Sequence, residues 1–117
     1  KKIAKKKISF HGWKKQSFIF KYIDLLLITS DIENFPYSAL EAKSYGIPVV
    51  TGSQGDIRKI VKNNIDGIIC HKLDAGTLFN SLCKAKNIYR KLSAGCLKNR
   101  KKFNIDLSCK SFWKGII

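Results

Sequence analysis

The 117 residues contain no methionine, two histidines, two prolines and only eight acidic residues, and no long apolar run. Each shortage excludes something. Without an initiator Met, and opening on KKIAKKK, the chain is expected to be a piece of a longer protein. No apolar run approaches the roughly 18 residues of a membrane-spanning helix, and the basic start lacks the apolar segment of a secretory signal. His11 and His71 are far apart and no CxxC pair occurs, so nothing sits at zinc-ligand spacing. Cys70, Cys83, Cys96 and Cys109 recur every 13 residues, but their flanks IICHK, SLCKA, AGCLK and LSCKS do not repeat. They are read as reduced, partly buried thiols of a cytoplasmic protein.

The scarcity of acid leaves Lys and Arg ahead by 23 to 8, a formal net charge of +15. A field of that sign favours phosphates, anionic lipid headgroups or nucleic acid. Between Asp74 and Asp106 there is no acid, while Lys84, Lys86, Arg90, Lys91, Lys98, Arg100, Lys101 and Lys102 fall there. That stretch is read either as solvated helix faces or as a surface for an anionic membrane, with peripheral attachment at its inner face. No helix-turn-helix, zinc finger or aromatic RNA platform is recognisable, so nucleic acid is not expected as a partner.

What is present centres on Thr29 to Gly55, TSDIENFPYSALEAKSYGIPVVTGSQG. Before it, Asp24-Leu25-Leu26-Leu27-Ile28 is a continuous apolar run that reads as a strand buried on both faces. Loops after such strands are where open α/β sheets bind ligands. Ser30, Asp31 and Asn34 form turns, and Pro36 suits the first position of a helix that runs to Tyr45. Gly46 supplies a left-handed stop, and Ile47 to Thr51 is the next strand. Glu33 therefore falls in the loop, and Glu41 on the helix about one and a half turns in.

On either side the pattern continues. Ile8 to Phe10 reads as a strand, and Lys14 to Tyr22 as a short helix covering the sheet with Phe18, Ile19 and Tyr22. Asp56 to Asn63 is expected as a short helix with Asp56 as a candidate cap, Asn64 to Gly67 as a turn, and Ile68 to Cys70 as a strand. From the N-cap Asp74 a longer helix runs to Leu92, with Leu78, Leu82, Ala85, Tyr89 and Leu92 facing the core. Ser93 to Gly95 is expected to break it, and Leu107, Phe112 and Trp113 suggest a terminal helix.

Two carboxylates eight positions apart within ENFPYSALEAKSYGIPVV, with FHGW and IDLLLITS before them and DGIIC after, form an ordered set of blocks. Over residues 8 to 71 the chain resembles the donor-binding core of retaining GT-B glycosyltransferases, specifically glycosyltransferase family 4. Within it the chain looks most like bacterial hexosyltransferases that extend lipopolysaccharide core or other surface polysaccharides. The resemblance implies an α/β fold, a partial Rossmann-like C-terminal domain with a parallel sheet and flanking helices. It also implies that an N-terminal acceptor domain and this domain's first strands lie outside residues 1–117. In the Rossmann strand order two further strands would separate Ile8–Phe10 from Leu25–Ile28. Alone, the chain is expected to be poorly stable and inactive.

The same resemblance implies partners and roles. The donor would be a nucleotide-diphosphate sugar and the acceptor a glycan or lipid-linked glycan, with no cofactor and no metal. Glu33 would hold hydroxyls of the donor sugar at the reacting end, and Glu41 would accept from the ribose hydroxyls. The N–H groups of Phe35, Tyr37 and Ser38, with Asn34 beside them, would face sugar and phosphates, and Gly12 and Trp13 would lie near the base together with His11. A helix start offers orphan donors and a positive dipole end to a diphosphate, and carboxylates bind vicinal hydroxyls strongly. The chain departs from the family at Asn34, where Gly or Ser is commoner, and at Arg58-Lys59, where an acid is common; two cations there would suit a diphosphate. Two other classes stay open: a sugar-nucleotide epimerase or silent GT-B-like subunit, and a basic membrane- or nucleic-acid-binding module.

Overall fold

The structure, a computed structural model, describes residues 8–32 and 36–100. Three short parallel strands, β1 (Leu26–Ile28), β2 (Val49–Thr51) and β3 (Gly67–Ile69), form one sheet in the order β1-β2-β3. Leu26 stands opposite Val49, and Val49 opposite Gly67, so the strands begin and end together. Around them lie α1 (Gln16–Tyr22), α2 (Tyr37–Ser44), α3 (Ile57–Ile60), α4 (Ala75–Asn87) and α5 (Tyr89–Asn99). The α/β class and the parallel sheet with flanking helices match the expectation.

The alternation of β2 builds two cores. Val49 packs on one face with Phe20, Ile28, Ala39, Ala42, Ile57 and Ile60, from α1, β1, α2 and α3. Val50 packs on the other with Ile68, Ala85 and Leu92, from β3, α4 and α5. Both valines are fully buried, each worth roughly 1.5–3 kcal/mol relative to exposure. β2 is thus a strand covered on both faces, as its unbroken apolar sequence requires. β1 is not, although its sequence is as apolar: it is an edge strand of the described sheet, and Leu27 is 40% exposed.

Ile8 to Phe10 is not a strand. No neighbour pairs with it among the described residues, and Phe10 is 96% exposed. In α1 the buried residue is Phe20, while Phe18, Ile19 and Tyr22 are exposed and the Phe18 and Tyr22 rings meet at 4.9 Å. The helix had to turn its single central ring inward, where Phe20 stacks near Tyr45 at 5.3 Å.

The left-handed stop after α2 is present: Gly46 has φ 76°, and the N–H groups of Gly46 and Ile47 donate to the Lys43 and Ala42 carbonyls. The helix after Asp56 is only the four residues of α3, and Val61 is already extended. Asp56 makes no side-chain cap; its carboxylate pairs with Lys59 at 2.9 Å instead. Asp74 caps α4 as expected, accepting from the Thr77 N–H at 2.8 Å.

The long helix breaks at Ile88, earlier than expected, and Ser93 to Gly95 lies inside α5. Gly95 is there for close approach, since a Cβ would fall on the Ile65 carbonyl. Ser93 donates to the Gly46 carbonyl at 2.7 Å, and the Cys96 thiol to the Asp66 carbonyl at 3.1 Å. These contacts lay α5 along the entrances of β2 and β3. The terminal helix expected around Leu107, Phe112 and Trp113 lies outside the described residues.

Candidate functional site

Parallel strands that end together place their outgoing loops on one edge of the sheet. Thr29 to Asp31 leaves β1, Gly52 to Gln54 leaves β2, and Cys70 to Leu73 leaves β3. These loops enclose a cleft of about 250 Å³, in which Asp31, Gly52, Ser53, Gln54, His71 and Lys72 supply most of the wall. The position is the one where α/β sheets bind ligands, outside the carboxyl ends of the strands. Its wall mixes one carboxylate, a hydroxyl, an amide, an imidazole and an ammonium, a set suited to hydroxyl-rich or anionic ligands.

The floor is held by buried groups. Thr51 and Cys70 are almost fully buried; the Cys70 N–H donates to the Thr51 carbonyl at 2.7 Å, and its thiol to the Ser81 hydroxyl at 3.1 Å. Beside the cleft, Asp74 has its pKa lowered first by the Thr77 N–H, then by the Thr77 hydroxyl, with Lys72 adding a smaller effect from 3.9 Å. Asp74 therefore stays anionic and occupies the amino end of α4, leaving that helix end with its own counter-charge.

The residues expected to bind donor fall differently. Glu33, Asn34 and Phe35 lie outside the described residues. Glu41, Tyr37 and Ser38 are on α2 with exposed side chains. α2 starts after Pro36, whose side chain makes no capping hydrogen bond. Gly12 has φ 64°, and Trp13 is 85% exposed. None of Glu41, Tyr37, Ser38, Gly12 and Trp13 lines the strand-end cleft. Arg58 and Lys59 are exposed on α3 and do not line it either.

Sequence reasoning missed Asp31, Ser53, Gln54, His71 and Lys72 as one constellation. The available signal was positional, since each follows directly on the last apolar residues of a strand. It also missed the support beneath α2. Lys43 and Asp66 form an ion pair at 2.8 Å with both side chains buried, and the Lys43 ammonium also donates to the Ile60 carbonyl. Asp66 further accepts from the Lys62 N–H at 2.7 Å and from Asn99 at 3.3 Å. The pair ties the helix that carries Glu41 to the entrance of β3 and to the end of α5.

Comparison with known proteins gives three kinds of match. The profile of the family Glycosyl transferases group 1 matches residues 1–103. An uncharacterized 41.2 kDa protein in the cps region of Klebsiella pneumoniae is 29% identical over 77 residues, 63% of this chain and 22% of that protein. An uncharacterized glycosyltransferase of Methanocaldococcus jannaschii is 40% identical over 50 residues, 43% of this chain and 13% of that protein. The chain thus spans less than a quarter of either relative's length. Among solved structures, Anabaena HepE in complex with UDP superposes with a TM-score of 0.76 at 17% identity, over 84% of this chain and 28% of that one. Sucrose-phosphate synthase from Thermosynechococcus elongatus does so with a TM-score of 0.73 at 20% identity, over 84% and 26%. These two likenesses establish the fold, that of GT-B glycosyltransferases.

Proposed function

We propose, for a chain that belongs to the Glycosyl transferases group 1 family, that it is the C-terminal, donor-binding part of a retaining hexosyltransferase of the family 4 kind. The donor is a nucleotide-diphosphate sugar, and the acceptor is lipopolysaccharide or another glycan or lipid-linked glycan. The acceptor domain and the first strands of this domain lie beyond residues 1–117, and the transfer is read as metal-independent and cytoplasmic.

One observation carries this: the outgoing ends of three parallel strands enclose a cleft walled by Asp31, Ser53, Gln54, His71 and Lys72, and the chain leads on from Asp31 to α2. The start of α2 presents the positive end of a helix dipole, which favours a diphosphate. We assign to Glu33 the sugar hydroxyls, held as charge develops at the anomeric carbon, and to Glu41, exposed on α2, the ribose hydroxyls. Lys72 adds a cation and His71 an imidazole at the same edge of the sheet. The presence of UDP in the HepE structure supports a nucleoside diphosphate as the common part of the donor.

The test is donor binding by the full-length protein. Glu41→Ala should weaken binding of the nucleotide sugar by roughly 1.5–3 kcal/mol, the range for hydrogen bonds to a charged group. Calorimetry showing unchanged affinity with the fold intact would remove Glu41 from the site.

A further inference from the structure

The basic stretch after Asp74 takes no part in the strand-end site. α4 starts at the carboxyl edge of the sheet and ends, 13 residues or about 20 Å later, at the opposite edge. There Lys86, Leu82 and Tyr89 border a groove with Asp24 and Leu25, the residues that enter β1. α5 then runs along that edge, its Leu92 and Cys96 turned inward. The amino edge is therefore floored by the α4–α5 junction and by α5.

Lys84, Lys86, Arg90, Lys91 and Lys98 are exposed on these two helices, Arg100 is exposed at the end of α5, and neither helix has an acid. Among the described residues none of the six makes an ion pair. Lys86, Arg90 and Lys91 converge on a shallow hollow of about 520 Å³ around Ile88 and Tyr89, with Asp24 as the one acid bordering the neighbouring groove. Cations gathered at one place repel each other, so the cluster lowers its energy only when an external anion joins it.

We infer that the α4–α5 floor docks on an anionic phospholipid surface, with a headgroup phosphate held in the hollow between Lys86, Arg90 and Lys91. The cations spread across two convex helix faces, which suits a plane of headgroups. Long basic side chains can lie over Ile88 and the half-buried Tyr89 while their charged ends reach phosphate. A nucleic acid is the less suited occupant: Tyr89 is half-buried, and no other aromatic lies among the hollow's lining residues to stack a base. Docked this way, the strand-end cleft opens on the side away from the bilayer, so lipid binding and donor binding are separable.

The experiment is flotation of the full-length protein with vesicles of phosphatidylglycerol and phosphatidylcholine against phosphatidylcholine alone. Binding should require phosphatidylglycerol and should vanish as salt rises from 0.1 to 1 M, where the Debye length shrinks from about 10 to about 3 Å. Joint Lys86→Gln, Arg90→Gln and Lys91→Gln substitutions should lower partitioning roughly a hundredfold, the product of three surface cations. Lys86→Arg with Lys91→Arg should retain it, and calorimetry should show nucleotide-sugar affinity unchanged in both variants. Equal binding to neutral vesicles, or full binding by the triple variant, would overturn the inference. So would duplex DNA displacing the protein from vesicles at lower phosphate concentration. Should the triple variant not fold, the single Lys91→Gln must still lower partitioning severalfold, and no change would count against the hollow.

Discussion

Lys43 on α2 and Asp66 at the entrance of β3 meet at 2.8 Å with side chains 3% and 1% exposed. Twenty-three positions apart in sequence, they join the helix carrying Glu41 to the turn that starts the last strand. A buried charge left without its partner is costly, whereas an apolar pair of similar size is tolerated. Asp66→Ala should therefore lose about 3–5 kcal/mol of unfolding free energy, and the double change Lys43→Met, Asp66→Leu should recover most of it. Denaturant unfolding of the full-length protein checks both; a double variant no more stable than the single would show that the remaining hydrogen bonds to Asp66 dominate.

Gly95 gives a steric counterpart. Gly95→Ala should destabilise by about 1–3 kcal/mol, as overpacking does, because the Ile65 carbonyl occupies the space a Cβ needs. Gly76→Ala in α4 meets only the Asp74 carboxylate at an ordinary 3.4 Å and should be neutral or gain up to about 1 kcal/mol. Thermal unfolding should show Gly95→Ala melting clearly lower and Gly76→Ala unchanged or higher. Equal shifts would mean α5 can slide away from Ile65.

The thiols should separate by reactivity. Burial pushes Cys96 up to about 12, and the Asp66 carboxylate adds to the shift against the opposing Lys43 charge. At neutral pH Cys96 is a protonated, enclosed thiol, and Cys70 is enclosed as well, while Cys83 is exposed. Iodoacetamide followed by peptide mass spectrometry should find Cys83 modified in the native protein, and Cys70 and Cys96 only after denaturant. Modification of Cys96 at the rate of Cys83 would contradict the packing of α5.

Much of the central unit could be read from residue order. Gly46 as a left-handed stop, Asp74 as a cap and the strand around Val49-Val50 are local signals with one physical solution each. Where several elements share a decision, the residues were silent. Nothing local separates β1 from β2, both apolar, yet β2 is central and β1 is an edge strand of the described sheet. Gly95 looks like a helix breaker until the Ile65 backbone arrives to need it. Phe20 outcompetes Phe18, Ile19 and Tyr22 for the core because only it faces Tyr45 and the sheet. Lys43 and Asp66 look like surface charges, since nothing in either neighbourhood announces the other. The cleft residues Asp31, Ser53, Gln54, His71 and Lys72 come from three loops, and only the parallel register assembles them.

Turnover in Glu33→Gln tests the proposed sugar transfer most directly. Glu33, between Asp31 and Pro36 in the sequence, is proposed to hold sugar hydroxyls while charge develops at the anomeric carbon. Such an interaction is stronger in the transition state than in the ground state. The full-length Glu33→Gln protein should therefore lose at least about tenfold in turnover, roughly 1.4 kcal/mol, with donor affinity and melting temperature nearly unchanged. Full turnover by that variant would contradict the account of this chain as the donor-binding part of a retaining glycosyltransferase.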